Sequence, residues 1–339
     1  MGDWASGWAK DIQEQIKTTY ESYPSLSFAP FDTLFEFVEI NYNSWFDDLR
    51  KQWKEEADKV VGLVPAGQIG AGALSQLLKI AQEPAKDVFL ATHVLDVVLY
   101  RFVSTVHEAV KADVQKQILD AILNANGTVK GPWSIVAHSL GTSVTHDVLN
   151  AMYSQELDYK GHKFKLASLT RPQLVAMIAN VSKVLESDAD VYTSVVRPAL
   201  DPSAGACKQF LSARHEFDPF MIPKQFRPTH DWPSVQAVSE KRVHIVPINA
   251  IEKKNVHALD HYLKNPQVHV RLFRCLLWPE AIPDSVLDSR SHEYELSTPL
   301  AKFEGLLKEL KKIKLSDNSQ WKEIIQGFRD FAELVGISS

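Results

Sequence analysis

Apolar positions recur at helical spacing near the start of the chain, where Trp8, Ile12 and Ile16 stand among polar and charged neighbours. That period predicts an amphipathic helix over residues 4–20. Residues 34–40 change period, with Phe35, Phe37, Val38 and Ile40 reading as a strand, followed by a turn at 41–44 and a charged helix over 45–59. A Gly- and Ala-rich stretch at 63–74 leads into an apolar run at 74–81, Pro84 breaks the chain, and 88–124 reads as one or two long helices. Four short apolar runs then follow at 133–137, 173–178, 209–213 and 242–247, with helical periodicity over 141–153 between the first two. Strands separated in this way predict an α/β fold, a mostly parallel sheet with helices on both faces. The tail, 299–315 and 318–335, reads as two further amphipathic helices.

Composition narrows the classes. Of 339 residues, 45% are hydrophobic and 23% charged, with a net charge of −5. No basic surface calls for nucleic acid. Charge, Pro or Gly interrupts every apolar stretch before the roughly 18 residues of a membrane span, so no integral membrane association is expected. The N-terminus lacks the continuous apolar core of a signal peptide. The two cysteines, Cys207 and Cys275, form neither a disulfide framework nor a zinc cluster. Two buried thiols in a reducing cytoplasm is the preferred reading, and one bridge is the other.

The sharpest chemical signal is Ser134-Ile-Val-Ala-His-Ser139-Leu-Gly141-Thr-Ser. An apolar strand runs into a serine with small residues two before and two after it, and a helix begins at once. A nucleophilic serine needs a tight strand-to-helix turn that projects its hydroxyl clear of the sheet. The helix N-terminus behind it offers free N–H groups where an oxyanion forms. The bland reading is a serine that only caps its helix. Ala137 stands where many such turns carry Gly. This Ala-His-Ser-Leu-Gly-Thr-Ser segment resembles the nucleophile elbow of α/β-hydrolase fold esterases and lipases. In such proteins the histidine at the position of His138 is not the catalytic base.

In that fold the acid and then the histidine follow the serine in chain order. Asp218-Pro219, after the apolar run at 209–213, resembles the acid loop, with Glu216 its nearest competitor and Asp201 and Asp188 weaker ones. A carboxylate at a strand's C-terminal end can orient an imidazole and stabilise its charged form. Asn255-Val-His257-Ala-Leu-Asp-His261-Tyr-Leu-Lys-Asn-Pro266 resembles the histidine segment, in which the base begins a short helix running to an aromatic and an Asn-Pro. By that pattern His257 is the base and His261 the alternative base. The pair also stands four residues apart, as two zinc ligands on one helix face do. The zincin signature, however, requires Glu after the first histidine, where this chain has Ala258. No metal and no cofactor are expected.

One oxyanion donor is expected from the N–H of Leu140. Met1-Gly2-Asp3-Trp4 looks like the second half of a His-Gly-Met-Gly-type loop, which makes Gly2 or Asp3 the second donor. On that reading the fold lacks an N-terminal central strand, exposing strand edges that invite homo-oligomer formation. The expected organisation is a catalytic domain over 1–280, a helical cap inserted at 60–100, and a C-terminal helical extension over 281–339 packed on it. The Gly67–Gly72 segment lacks the order of a phosphate loop. The resemblance implies a serine hydrolase acting on a small-molecule ester or lipid substrate through an acyl-enzyme. Thioesterase or amidase chemistry on the same fold, and a non-catalytic interaction module, are the competing readings.

Overall fold

The computed structural model describes residues 8–48, 96–97, 99–101, 103–186, 189–218, 220, 226–227, 242–252 and 256–297. Helix α1, Trp8–Glu21, opens the described chain and is followed by a 3₁₀ turn at Pro24–Leu26 and the short α2, Phe31–Leu34. Then come α3, Ser104–Ile122, the strand β1, Ile135–His138, and α4, Leu140–Ser154. A hairpin, β2 Leu157–Tyr159 and β3 His162–Phe164, turns through Lys160 and Gly161, both at positive φ. The short α5, Leu166–Leu169, precedes β4, Leu174–Ile178, β5, Gln209–His215, and β6, Val243–Ile248. Three helices close the described chain: α6 Leu259–Lys264, α7 Pro266–Leu276 and α8 Asp284–Ser297.

The strands β1, β4, β5 and β6 lie in that order, and every pairing is parallel. The reason is visible in β4, where all five residues are buried. Leu174, Ala176 and Ile178 join one apolar cluster, which also contains residues of α1, α3 and α7, while Val175 and Met177 join a second with Phe210 and Phe226. A strand buried on both faces has to be apolar throughout, so it shows no alternation. Each of the larger side chains, Leu174, Val175, Met177 and Ile178, contributes about 1.5–3 kcal/mol on removal from water. By contrast β1 is an edge of this sheet among the described residues, with Val136 39% exposed.

The four strands expected between residues 133 and 247 are present to within two residues at each end. The strand expected over 34–40 is not: Phe31–Leu34 is helical and residues 35–42 carry no ladder. An apolar, alternating run becomes a strand only where a neighbour pairs with its backbone. Here the Gln117 side chain of α3 takes that place at Asn41, accepting its N–H at 3.0 Å and donating to its C=O at 2.8 Å. The cap expected at 60–100 falls largely outside the described residues. The Gly67–Gly72 segment, the tail helices and most of the 45–59 helix lie wholly beyond them. α8 packs against α7.

Helix α1 and the turn after it brace α6 and α7. Tyr20 packs edge-on against Phe273 at 5.8 Å, Gln15 donates to the Asp260 carbonyl at 2.9 Å, and the Tyr23 hydroxyl lies 2.6 Å from His269 Nε2. Asn265 caps α7 by accepting the Gln267 N–H, and Pro266 fills the first helical position, where its missing N–H costs nothing. Cys207 and Cys275 are both buried free thiols. No helix among the described residues is long and apolar enough to cross a membrane.

Candidate active site

Ser139 is the hinge between β1 and α4, with φ 52° and ψ −128°. A side chain at positive φ carries strain that the surroundings must hold in place. The hold is visible. Ser139 N–H donates to the Ile178 carbonyl of β4 at 3.1 Å, and its own carbonyl accepts from Thr142 N–H at 2.8 Å and Thr142 Oγ1 at 2.7 Å. Thr142 Oγ1 in turn accepts the Val181 N–H at 3.0 Å, fastening the first turn of α4 to the end of β4. Gly141 faces Tyr42: a Cβ at this position would stand in van der Waals contact with the Tyr42 hydroxyl, at 3.4 Å.

Three expected site residues meet in one hydrogen-bonded line. Ser139 Oγ lies 2.7 Å from His257 Nε2, and His257 Nδ1 lies 2.7 Å from Asp218 Oδ2. An ionised carboxylate only accepts, so the imidazole proton sits on Nδ1 and Nε2 faces the serine as an acceptor. Asp218 is fully buried. Burial alone would raise its carboxyl, but the His257 imidazole, its hydrogen bond and that of Tyr262 prevail and hold it below the ordinary carboxylate range. Oδ1 accepts the Phe220 N–H at 3.0 Å, closing the acid turn. Phe220 then stacks on the His257 ring at 4.3 Å, with the His138 ring at 5.1 Å.

The other candidates are placed elsewhere. His261 is the third residue of α6 with its ring 5.2 Å from His215, and His257 precedes the helix. The two histidines therefore share no helix face, and among the described residues no three ligand-type side chains converge on a metal-sized site. Glu216 is exposed, and Asp201 is an exposed turn carboxylate accepting the Ser203 N–H. Leu140 is the first residue of α4, so its N–H has no acceptor within the helix and lies next to Ser139. Gly2, Asp3 and Asp188 lie outside the described residues.

Four supporting residues escaped the pattern reading. Tyr262 is fully buried; its hydroxyl donates to Asp218 Oδ2 at 3.0 Å and accepts the His215 N–H at 2.9 Å. The sequence marks it only as an aromatic in the histidine segment. His138 Nε2–H donates to the His257 carbonyl at 2.7 Å. His215 is held neutral by burial first and by His261 second, its pKa pushed down to about 4, and its Nδ1 accepts the Phe217 N–H. Thr142, three residues past the serine, is the clamp just described. The long-range contacts among these, Tyr262 to Asp218 and His215, His138 to His257 and Thr142 to Val181, have no spacing signal, because each joins elements far apart in the chain.

A second serine–histidine–aspartate line exists and shows that adjacency alone is not a site. His146 lies 2.9 Å from Ser194 Oγ and 3.1 Å from Asp147 Oδ1. All three are buried, and Ser194 follows no strand and precedes no helix. At Ser139 the same residue types come with a half-buried serine, a strained turn and a helix N-terminus. Comparisons with protein-family models, with curated proteins and with solved structures gave no match.

Proposed function

We propose that this chain is a serine hydrolase of the α/β-hydrolase fold that cleaves carboxylic esters through an acyl-enzyme. The observation that carries the reading is the line Ser139–His257–Asp218 set on a strained strand-to-helix turn. His257 Nε2 takes the Ser139 proton as Oγ bonds to the ester carbonyl carbon. The Leu140 N–H meets the oxygen on which negative charge develops. As the tetrahedral species collapses, the ester C–O bond breaks and His257 gives its proton to the leaving alcohol. Water, deprotonated by the same imidazole, then releases the acid and restores Ser139. Asp218 keeps the imidazole in the tautomer that faces the serine and stabilises its charged form. The residues involved need no cofactor for these steps. The two buried free thiols support a reducing, cytoplasmic setting.

The test is hydrolysis of a p-nitrophenyl ester series from acetate to palmitate, with fluorophosphonate labelling alongside. Wild type is expected to turn over and to label, and Ser139→Ala to do neither. The preferred chain length divides esterase from lipase. A wild-type protein that neither labels nor hydrolyses any ester in the series overturns the proposal.

A further inference from the structure

We infer that Tyr262 is a positioning residue that sets the basicity of His257 by sharing its carboxylate. The inference rests on the hydrolase reading for its kinetic consequence but not for its geometry. Tyr262 and His257 approach the same oxygen of Asp218, Oδ2, at 3.0 and 2.7 Å. The phenol is aimed by a third partner, since it accepts the His215 N–H from the end of β5. Its O–H is therefore directed at the carboxylate and is not free to rotate. Burial, the nearby Asp218 charge and their hydrogen bond keep the phenol protonated far above neutral pH, so it is a permanent donor.

The consequence follows from charge. A carboxylate oxygen that already accepts a phenol hydrogen offers less negative potential to the imidazolium beside it. Tyr262 thus keeps the Asp218 charge stabilised in a fully buried place and tempers how strongly it holds a proton on His257. Among the described residues the other titratable side chains around the pair are His138 at the β1 turn, His215 at the end of β5 and His261 on α6. His215 is neutral at the working pH, which leaves the phenol as the strongest lever on the carboxylate from this side.

Tyr262→Phe keeps the ring and removes the hydroxyl. The expected result is an acid limb of kcat/KM displaced upward by about half a pH unit or more, since one pH unit corresponds to about 1.4 kcal/mol. A role in packing alone would lower the rate at every pH and leave the midpoint where it is. The same shift is read without any substrate, from the NMR titration of the His257 ring in Ser139→Ala with and without Tyr262→Phe. An unmoved midpoint in that titration overturns the inference. Because the titration needs no ester hydrolysis, it gives an answer even if the protein proves not to be an esterase. Loss of esterase activity in the wild type would count against the proposed function alone.

Discussion

His138, the residue before the serine, donates from Nε2 to the backbone carbonyl of His257 at 2.7 Å. The turn that carries Ser139 therefore also holds the loop that carries His257. The two rings lie 5.1 Å apart, with Phe220 in stacking contact with His257 as well. His138 touches no reacting atom in the proposed mechanism, and its contribution is to keep His257 where Nε2 meets the serine.

His138→Ala should lower kcat roughly tenfold with little change in KM, the scale of one lost hydrogen bond of about 1–1.5 kcal/mol. Steady-state kinetics on a short p-nitrophenyl ester decide it. Equal kcat in the two proteins would show that the loop needs no such tether.

Asp218→Asn keeps the shape of the acid and inverts its demand on the imidazole, since an amide can offer N–H to Nδ1. A loss in kcat of about 10⁴-fold is expected, the scale of the same change in the serine protease triad. The variant should also change acid stability. Asp218 titrates below its ordinary value of 3.8 in the folded chain. Its stabilisation is thus full above the unfolded pKa and lost as pH falls through the depressed folded one. Denaturant melts between pH 2.5 and 6 should show that acid loss in wild type and a flatter curve in Asp218→Asn.

The strain at Ser139 predicts an order of stabilities. At φ 52° a residue with a Cβ is held against its preference, and glycine is not. Ser139→Gly should melt higher than Ser139→Ala, by about 1 kcal/mol. Matched thermal melts measure this, and equal stabilities would mean that the turn stores no strain.

His215 and His269 are buried imidazoles, each with its pKa pushed down to about 4, burial being the largest cause in both. The unfolded chain binds protons at these residues near pH 6.5, and the folded chain does not until near 4. Stability should therefore be full above about pH 6.5 and decline as pH falls toward 4, by up to about 1.4 kcal/mol per pH unit for each residue. His269→Gln, which retains polar groups to face Leu263 O and the Tyr23 hydroxyl, should have a shallower decline in urea melts from pH 4.5 to 7.5. A slope identical to wild type would show that His269 protonates without resistance.

Local chemistry made part of this structure readable from the chain. A strand buried on both faces must be apolar throughout, which is why β4 stood out. A serine between small residues at a strand-to-helix junction announces its turn, because only that spacing relieves the crowding. Single residues far from any motif are a different matter. Residues 35–42 have the composition of a strand, yet no ladder receives them, and pairing is a property of a neighbour. The β2–β3 hairpin went unread although Lys160-Gly161 is a turn pair.

By itself the sequence determined the α/β class, the position of the serine on its turn, and a short list of acids and bases in chain order. Only the tertiary structure placed His257 and not His261 against Ser139, and Asp218 and not Glu216 against His257. The physical reason is distance. Ser139 and His257 are 118 residues apart in the chain and 2.7 Å apart in space. What closes that gap is the parallel register of β1, β4 and β5, together with the packing of α1 against α6 and α7. Tyr262, His138 and Thr142 acquire their roles at the same step, because each is defined by a partner that only the folded chain brings within reach.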